Sequence, residues 1–326
     1  MLAIGLRILI GLEIVLYATL AVRFVDASPF LVGLIAVSAL LAVRFSLTLL
    51  TYAFAWKYQS PAPPLGPART LRMIAAEWGA FIANFVVVSP FEKLWMGPDR
   101  LRPSVERPPL LLVHGYGCSR AAWWWLRHRL EAQGWVVATI NLEPIYTDIE
   151  HYVGPLAQRI DTVLAETGAV RLILVGHSMG GLVIRAYLRR HGADKVQRVV
   201  TLGTPYGGSE LARIAFGANG RQMVPGNDWL DRLADDGLHV ETITLVGPHD
   251  NYVMPQTNLI LAGAQSLALD GLGHLAMLYS PRVVDALVAS LRGTEADSFL
   301  IWPCLRKMSK RQSPPSSTTK PRRSMR

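Results

Sequence analysis

Cysteine is scarce in this chain: Cys118 and Cys304 are the only two among 326 residues, so no disulfide framework holds the fold together. Charge is sparse as well, at 17% of residues against about a quarter in an ordinary soluble domain. Apolar residues reach 51% and the mean hydropathy is +0.26, a composition that places part of the chain in a membrane. A phosphate-cradling loop of the G-x-x-x-x-G-K type is missing, and no Cys/His or carboxylate cluster has metal-ligand spacing. Neither a metal nor another cofactor is therefore expected. No internal repeat is visible.

Acidic residues are missing altogether from 303–326, which carries eight Lys or Arg. Without that stretch the chain has 25 basic residues against 24 acidic ones, so the formal charge of +9 belongs to a Ser/Pro-rich tail and not to a nucleic-acid-binding body. The tail, taken as 296–326, is expected to be disordered and solvated. Contact with anionic lipid headgroups is the second reading.

What the chain has in quantity is apolar sequence near its start. Residues 1–22 are interrupted only by Arg7 and Glu13, and 29–56 only by Arg44; each run is long enough to cross about 30 Å of hydrocarbon as a helix. A signal peptide is the competing reading of the first run, but it lacks a small-residue cleavage site and a second run follows. The expectation is a transmembrane helical hairpin over 1–58. Arg7 and Arg44 are expected to snorkel toward one membrane face, and Glu13, which lies deeper, to meet Arg44 across the hairpin. Basic residues outnumber those of the turn at the two outer ends (Arg7, Lys57, Arg69 and Arg72 against Arg23), which puts the remainder on the cytoplasmic side. Residues 59–107 follow as a proline-stiffened linker and an interfacial helix over 72–91, broken by Glu77 and Asn84 and read as too short and polar for a third span.

From residue 108 short aliphatic runs alternate with amphipathic segments. Strands are predicted over 110–113, 135–140, 171–175, 196–202, 240–246 and 265–269, and helices over 121–133, 149–166, 179–190 and 281–291. That alternation describes a mostly parallel sheet covered on both faces, with 108–295 as its extent.

Between the third strand and the third of those helices stands Gly176-His177-Ser178-Met179-Gly180. A serine on a strand-to-helix turn flanked by glycines is exposed to substrate, and a helix amino terminus points its amides at it. A serine hydroxyl needs a base, an acid to orient the base, and donors for an oxyanion. Among eight histidines, His274 stands apart in the glycine-rich loop Gly271-Leu272-Gly273-His274-Leu275 after the last strand, and is the expected base. Asp250, in the loop after the fifth strand, is the expected acid; it could equally cap its own turn. Asp270 and His249 are the rivals for the two roles. The amides of Tyr116 and Met179 are the expected oxyanion donors, while His114 shapes the first loop and Cys118 has no paired base. Among Trp123, Trp124 and Trp125, which open a helix, at least one is expected to face an acyl pocket or the membrane, though core packing is the default for any single one.

Leu112-Val113-His114-Gly115-Tyr116, Gly176 to Gly181, Leu202-Gly203-Thr204-Pro205-Tyr206-Gly207-Gly208 and Gly273-His274 together resemble the lipase branch of the α/β-hydrolase superfamily, bacterial triacylglycerol lipases and esterases in particular. The resemblance covers roughly residues 110–292. It implies an α/β-hydrolase fold, a serine hydrolase cleaving carboxylic esters through an acyl-enzyme on Ser178, and the chain order Ser178, Asp250, His274 that this family uses. Tyr206 stands where the family commonly has histidine, which bears on substrate fit. Fewer than 40 residues separate 202 from 240, so a small lid is implied, with 217–226 read as loop. The implied partners are an ester or lipid substrate and the bilayer of a bacterial inner membrane; no nucleic acid is implied, and the oligomeric state is not indicated. A thioesterase or acyltransferase would use the same triad, and an inactive membrane adaptor on this scaffold is the non-enzyme alternative.

Overall fold

The computed structural model describes residues 1–25, 28–104 and 107–292; the expected tail and its Cys304 lie outside the described residues. Two helices open the chain, α1 (Leu2–Val25) and α2 (Pro29–Lys57), packed against each other and with little of their apolar surface covered. Glu13 of α1 reaches Arg44 of α2 at 2.5 Å. Arg44 is thereby buried in the hairpin and does not snorkel as the sequence suggested: an opposite charge at the same depth is a better partner than a distant headgroup layer. The Met1 ammonium pairs with Glu143 at 2.8 Å, so the outer end of α1 stands beside the α/β body.

The interfacial helix is longer than its sequence pattern suggested. α3 (Pro67–Ile82) continues through a π-helical segment at Ala83–Val88 and a 3-10 turn at Ser89–Phe91 into α4 (Glu92–Met96). The change of helical pitch carries the rod past Pro90, whose missing N–H and ring would break a regular α-helix. The whole rod, Pro67–Met96, is long and apolar enough to cross a membrane by length and composition, as are α1 and α2. One side of it is nevertheless covered: Met73 and Ile74 pack against Tyr52 of α2, while Ala80 packs on Leu275 and Ala276 and Val88 on Ala121 of the α/β body, with Glu77 and Asn84 buried as well.

The body is a six-stranded parallel sheet in the order β2-β1-β3-β4-β5-β6, formed by β1 (Leu110–Val113), β2 (Val137–Ile140), β3 (Leu172–His177), β4 (Val196–Leu202), β5 (Thr242–Val246) and β6 (Gln265–Ala268). The aliphatic runs of the central strands β1 and β3, buried along their whole length, suit strands covered on both faces, whereas the edge strand β6 is polar and partly exposed. Leu111 and Leu174 point into one core layer and Leu110, Leu112 and Val175 into the other, as the period of two requires. On the first layer lie α6 (Val153–Thr167) and α7 (Met179–His191); α5 (Trp124–Ala132) and α10 (Pro281–Arg292) cover the second. Strand order reverses beside β1, so the carboxyl ends of β1 and β3 open the crevice where parallel sheets bind ligands.

Two short helices, α8 (Gly217–Gln222) and α9 (Asp228–Ala234), lie between β4 and β5. The stretch read as loop at 217–226 thus contains a helix despite its glycines. Bonds from Ala218 N–H to the Tyr146 carbonyl and from Asn219 N–H to the Thr147 carbonyl, both 3.1 Å, hold it from outside and override the weak local propensity.

Candidate active site

Ser178 caps β3 and precedes α7 with φ 54° and ψ −128°, alone among the described non-glycine residues in having a positive φ. Such a conformation costs about 1–3 kcal/mol and persists only where its surroundings over-determine it. Here the Ser178 N–H donates to the Leu202 carbonyl at 2.8 Å, its carbonyl accepts the Gly181 N–H at 3.0 Å, and Thr204 Oγ1 donates to the same carbonyl at 3.0 Å. Gly180 lets α7 start directly against β1, because a Cβ there would run into the Val113 carbonyl.

Across the crevice His274 Nδ1–H donates to Asp250 Oδ2 at 2.7 Å, with both side chains buried. The second oxygen, Asp250 Oδ1, accepts the N–H groups of Tyr252 and Val253, each at 2.8 Å. One oxygen of the Asp250 carboxylate thus meets the His274 imidazole and the other caps its own turn. Burial is the largest influence on the His274 imidazole and lowers its pKa; the charge and hydrogen bond of Asp250, aided by Glu77, outweigh it and hold the pKa above its ordinary value. With Nδ1 engaged, Nε2 is left as the basic atom.

Ser178 and His274 line one cavity of about 390 Å³, together with Tyr116, Cys118, Leu211 and Ile214. Tyr116 follows β1 in a turn and Met179 is the first residue of α7; Gly115, next to Tyr116, lies so close to the elbow that a Cβ there would come within 2.8 Å of Ser178 Cβ. The Tyr116 hydroxyl accepts the Phe216 N–H and donates to the Phe216 carbonyl, both at 2.8 Å, which ties the segment after β4 to the turn after β1. Phe81 and Phe85 of the amino-terminal rod also line this cavity. Sequence reasoning missed that contribution: only the polar breaks at Glu77 and Asn84 in an apolar helix hinted that the rod has a protein-facing side.

Other candidates are occupied elsewhere. Asp270 pairs with Arg69 at 2.7 Å and Arg282 at 3.1 Å, and His249 accepts the Gly271 N–H and donates to the Pro63 carbonyl. His114 accepts the Leu142 N–H at 3.0 Å and burial pushes its pKa down to about 4, so it shapes the first loop. Burial raises the Cys118 thiol to about 12, which keeps it from acting as a thiolate. Tyr206 does not line the cavity; its hydroxyl lies 2.7 Å from Thr201 Oγ1, so the departure at that position bears on packing and not on substrate fit. None of the three tryptophans lines the cavity either. Trp123 is fully buried in the core and Trp124 packs edge-on against Trp95 of α4 at 4.9 Å, the default reading for each. Among the described residues no group of three or more His, Cys, Asp or Glu could hold a metal.

The sequence profile for the alpha/beta hydrolase fold matches residues 108–223. A triacylglycerol lipase of Pseudarthrobacter phenanthrenivorans is 36% identical over 121 residues, covering 33% of this chain and 36% of its own. A pimeloyl-[acyl-carrier protein] methyl ester esterase of Vibrio vulnificus is 33% identical over 99 residues, covering 30% and 38%. The chain thus spans about a third of the length of the curated relatives it matches. Among solved structures, the mature lipase BlEst2 of Bacillus licheniformis superposes with a TM-score of 0.53 at 22% identity, covering 58% of this chain and 94% of that one. The fold is that of α/β-hydrolases.

Proposed function

We propose, from the premise that the chain is an α/β-hydrolase of lipase and esterase likeness, that it is a membrane-anchored serine hydrolase of carboxylic esters with apolar acyl chains. The observation that carries this reading is the Asp250–His274 pair at 2.7 Å, opening on the same largely apolar cavity as Ser178 on its strained elbow. Ser178 Oγ attacks the ester carbonyl carbon while its proton passes to His274 Nε2. The oxyanion is held by the amides of Tyr116 and Met179. His274 then protonates the departing alkoxide, leaving an acyl-enzyme, and water activated by the same imidazole releases the acid. Asp250 stays ionised and orients the ring throughout.

The hairpin α1–α2 is the anchor in this reading, and the excess of basic residues toward its outer ends supports a catalytic body on the cytoplasmic side. Phe81, Phe85, Leu211 and Ile214 supply the apolar wall against which an acyl chain lies. A series of p-nitrophenyl esters and matched thioesters of increasing chain length tests the proposal. Ester turnover that vanishes in Ser178→Ala is the expected result. Preference for CoA thioesters, or acyl transfer to an alcohol in place of hydrolysis, would redirect the assignment to a thioesterase or acyltransferase.

A further inference from the structure

Glu77 is a carboxylate on a mostly apolar helix, is almost fully buried, and has no part in the mechanism above. Its Oε1 accepts the Leu275 N–H at 3.0 Å and its Oε2 the Ala276 N–H at 2.8 Å, the two amides that directly follow His274. Burial raises the Glu77 carboxyl to about 7 against the opposing pull of these two amides and of His274, so it is ionised above neutral pH, where the imidazolium that His274 becomes during turnover supplies the compensating charge. Gly273 permits the approach, because a Cβ there would lie 2.5 Å from Glu77 Oε2 and 2.6 Å from the Tyr52 hydroxyl of α2.

A second strut comes from α2 itself. Asn251 Oδ1 accepts the His274 N–H at 3.0 Å, while Asn251 Nδ2 donates to Thr51 Oγ1 at 2.7 Å. The backbone after His274 is therefore held directly by Glu77 of α3, and its own N–H by Asn251 of the body, which Thr51 of α2 braces in turn. The ionisable groups facing the imidazole are Asp250 from the loop after β5, Tyr252 stacked on it at 5.2 Å, His177 from β3 at 4.6 Å between ring centroids, and Glu77 from α3. Tyr52 of α2 stands against Gly273.

We propose that Glu77 is a positioning residue for His274, fixing residues 274–276 and adding a second negative charge toward the imidazole, and that Thr51 assists through Asn251. The amino-terminal helices are then a part of the catalytic machinery and not only a tether. This rests on the hydrolase reading, with His274 as base.

The test uses the full chain in detergent and follows the rate at which a fluorophosphonate modifies Ser178, as a function of pH, in wild type, Glu77→Gln, Glu77→Asp and Thr51→Val. Loss of the charge lowers the pKa of His274, so the acid-side midpoint of Glu77→Gln moves to lower pH and its plateau rate falls about tenfold or more. Glu77→Asp keeps the charge and the wild-type midpoint. Thr51→Val slows modification severalfold with the midpoint in place. A Glu77→Gln protein with the wild-type midpoint overturns the proposal even if it is slower, since a merely structural brace would do that. Should Glu77→Gln fail to fold, Thr51→Val reacting at the wild-type rate overturns it. Absence of labelling in the wild type sinks the hydrolase reading itself, whereas labelled wild type with indifferent variants sinks only this inference.

Discussion

Asp250 divides its two oxygens between a turn and the His274 imidazole, and that division makes its replacement specific. In Asp250→Asn the amide can still serve the turn through its oxygen, but its NH2 then confronts Nδ1 and favours the wrong tautomer. We expect kcat to fall about 10³–10⁴-fold with little change in the melting temperature, as for the equivalent change in serine proteases; a loss below about tenfold would remove Asp250 from the role. The His274 pKa lies above its ordinary value. Because only the neutral imidazole can accept the serine proton, kcat/KM falls as pH drops through that raised pKa. A pH–rate profile should place the acid-side midpoint above about 6.5, and a midpoint below it would contradict the assigned environment. At Gly180 an added methyl meets the Val113 backbone, so Gly180→Ala should lower both thermal stability and the rate of ester turnover.

Among the elements, the rod formed by α3 and its continuation has two roles, walling the cavity with Phe81 and Phe85 and carrying Glu77. Phe81→Trp fills part of the acyl space, and the chain-length optimum should move to shorter esters, by an amount on the order of 1–3 kcal/mol in kcat/KM for the longest chain still accepted. An unchanged optimum would place the acyl chain elsewhere. The sheet was legible because its strands are short aliphatic runs bounded by turns, and the elbow because Gly176, Ser178 and Gly180 crowd one turn. His274 and Asp250 could be read as loop residues after strands. The wall and the struts were not legible: Phe81, Glu77 and Thr51 meet residues some 100–200 positions away, and no local periodicity encodes such a meeting. α8 was missed for the same reason, since backbone bonds from 146–147 decide its conformation.

For the whole molecule, the strand reversal beside β1 sets the site at the crevice between β1 and β3, and the helical segment closes one side of it. With α1 and α2 in a bilayer, the Glu13–Arg44 pair at 2.5 Å would lie in hydrocarbon, where an unpaired charge is costly. Glu13→Gln leaves Arg44 without its partner, and stability in detergent or lipid should fall by about 3 kcal/mol, read as earlier thermal unfolding; an unaltered transition would show that the pair contributes nothing. Ser178 is proposed as the nucleophile of a complete acyl-transfer site. Treating the folded full-length protein with a fluorophosphonate and mapping the adduct by mass spectrometry tests it most directly: modification at Ser178 in the wild type, lost in Ser178→Ala and strongly slowed in His274→Ala, is the predicted result, and no modification, or equal modification of Ser178→Ala, would contradict it.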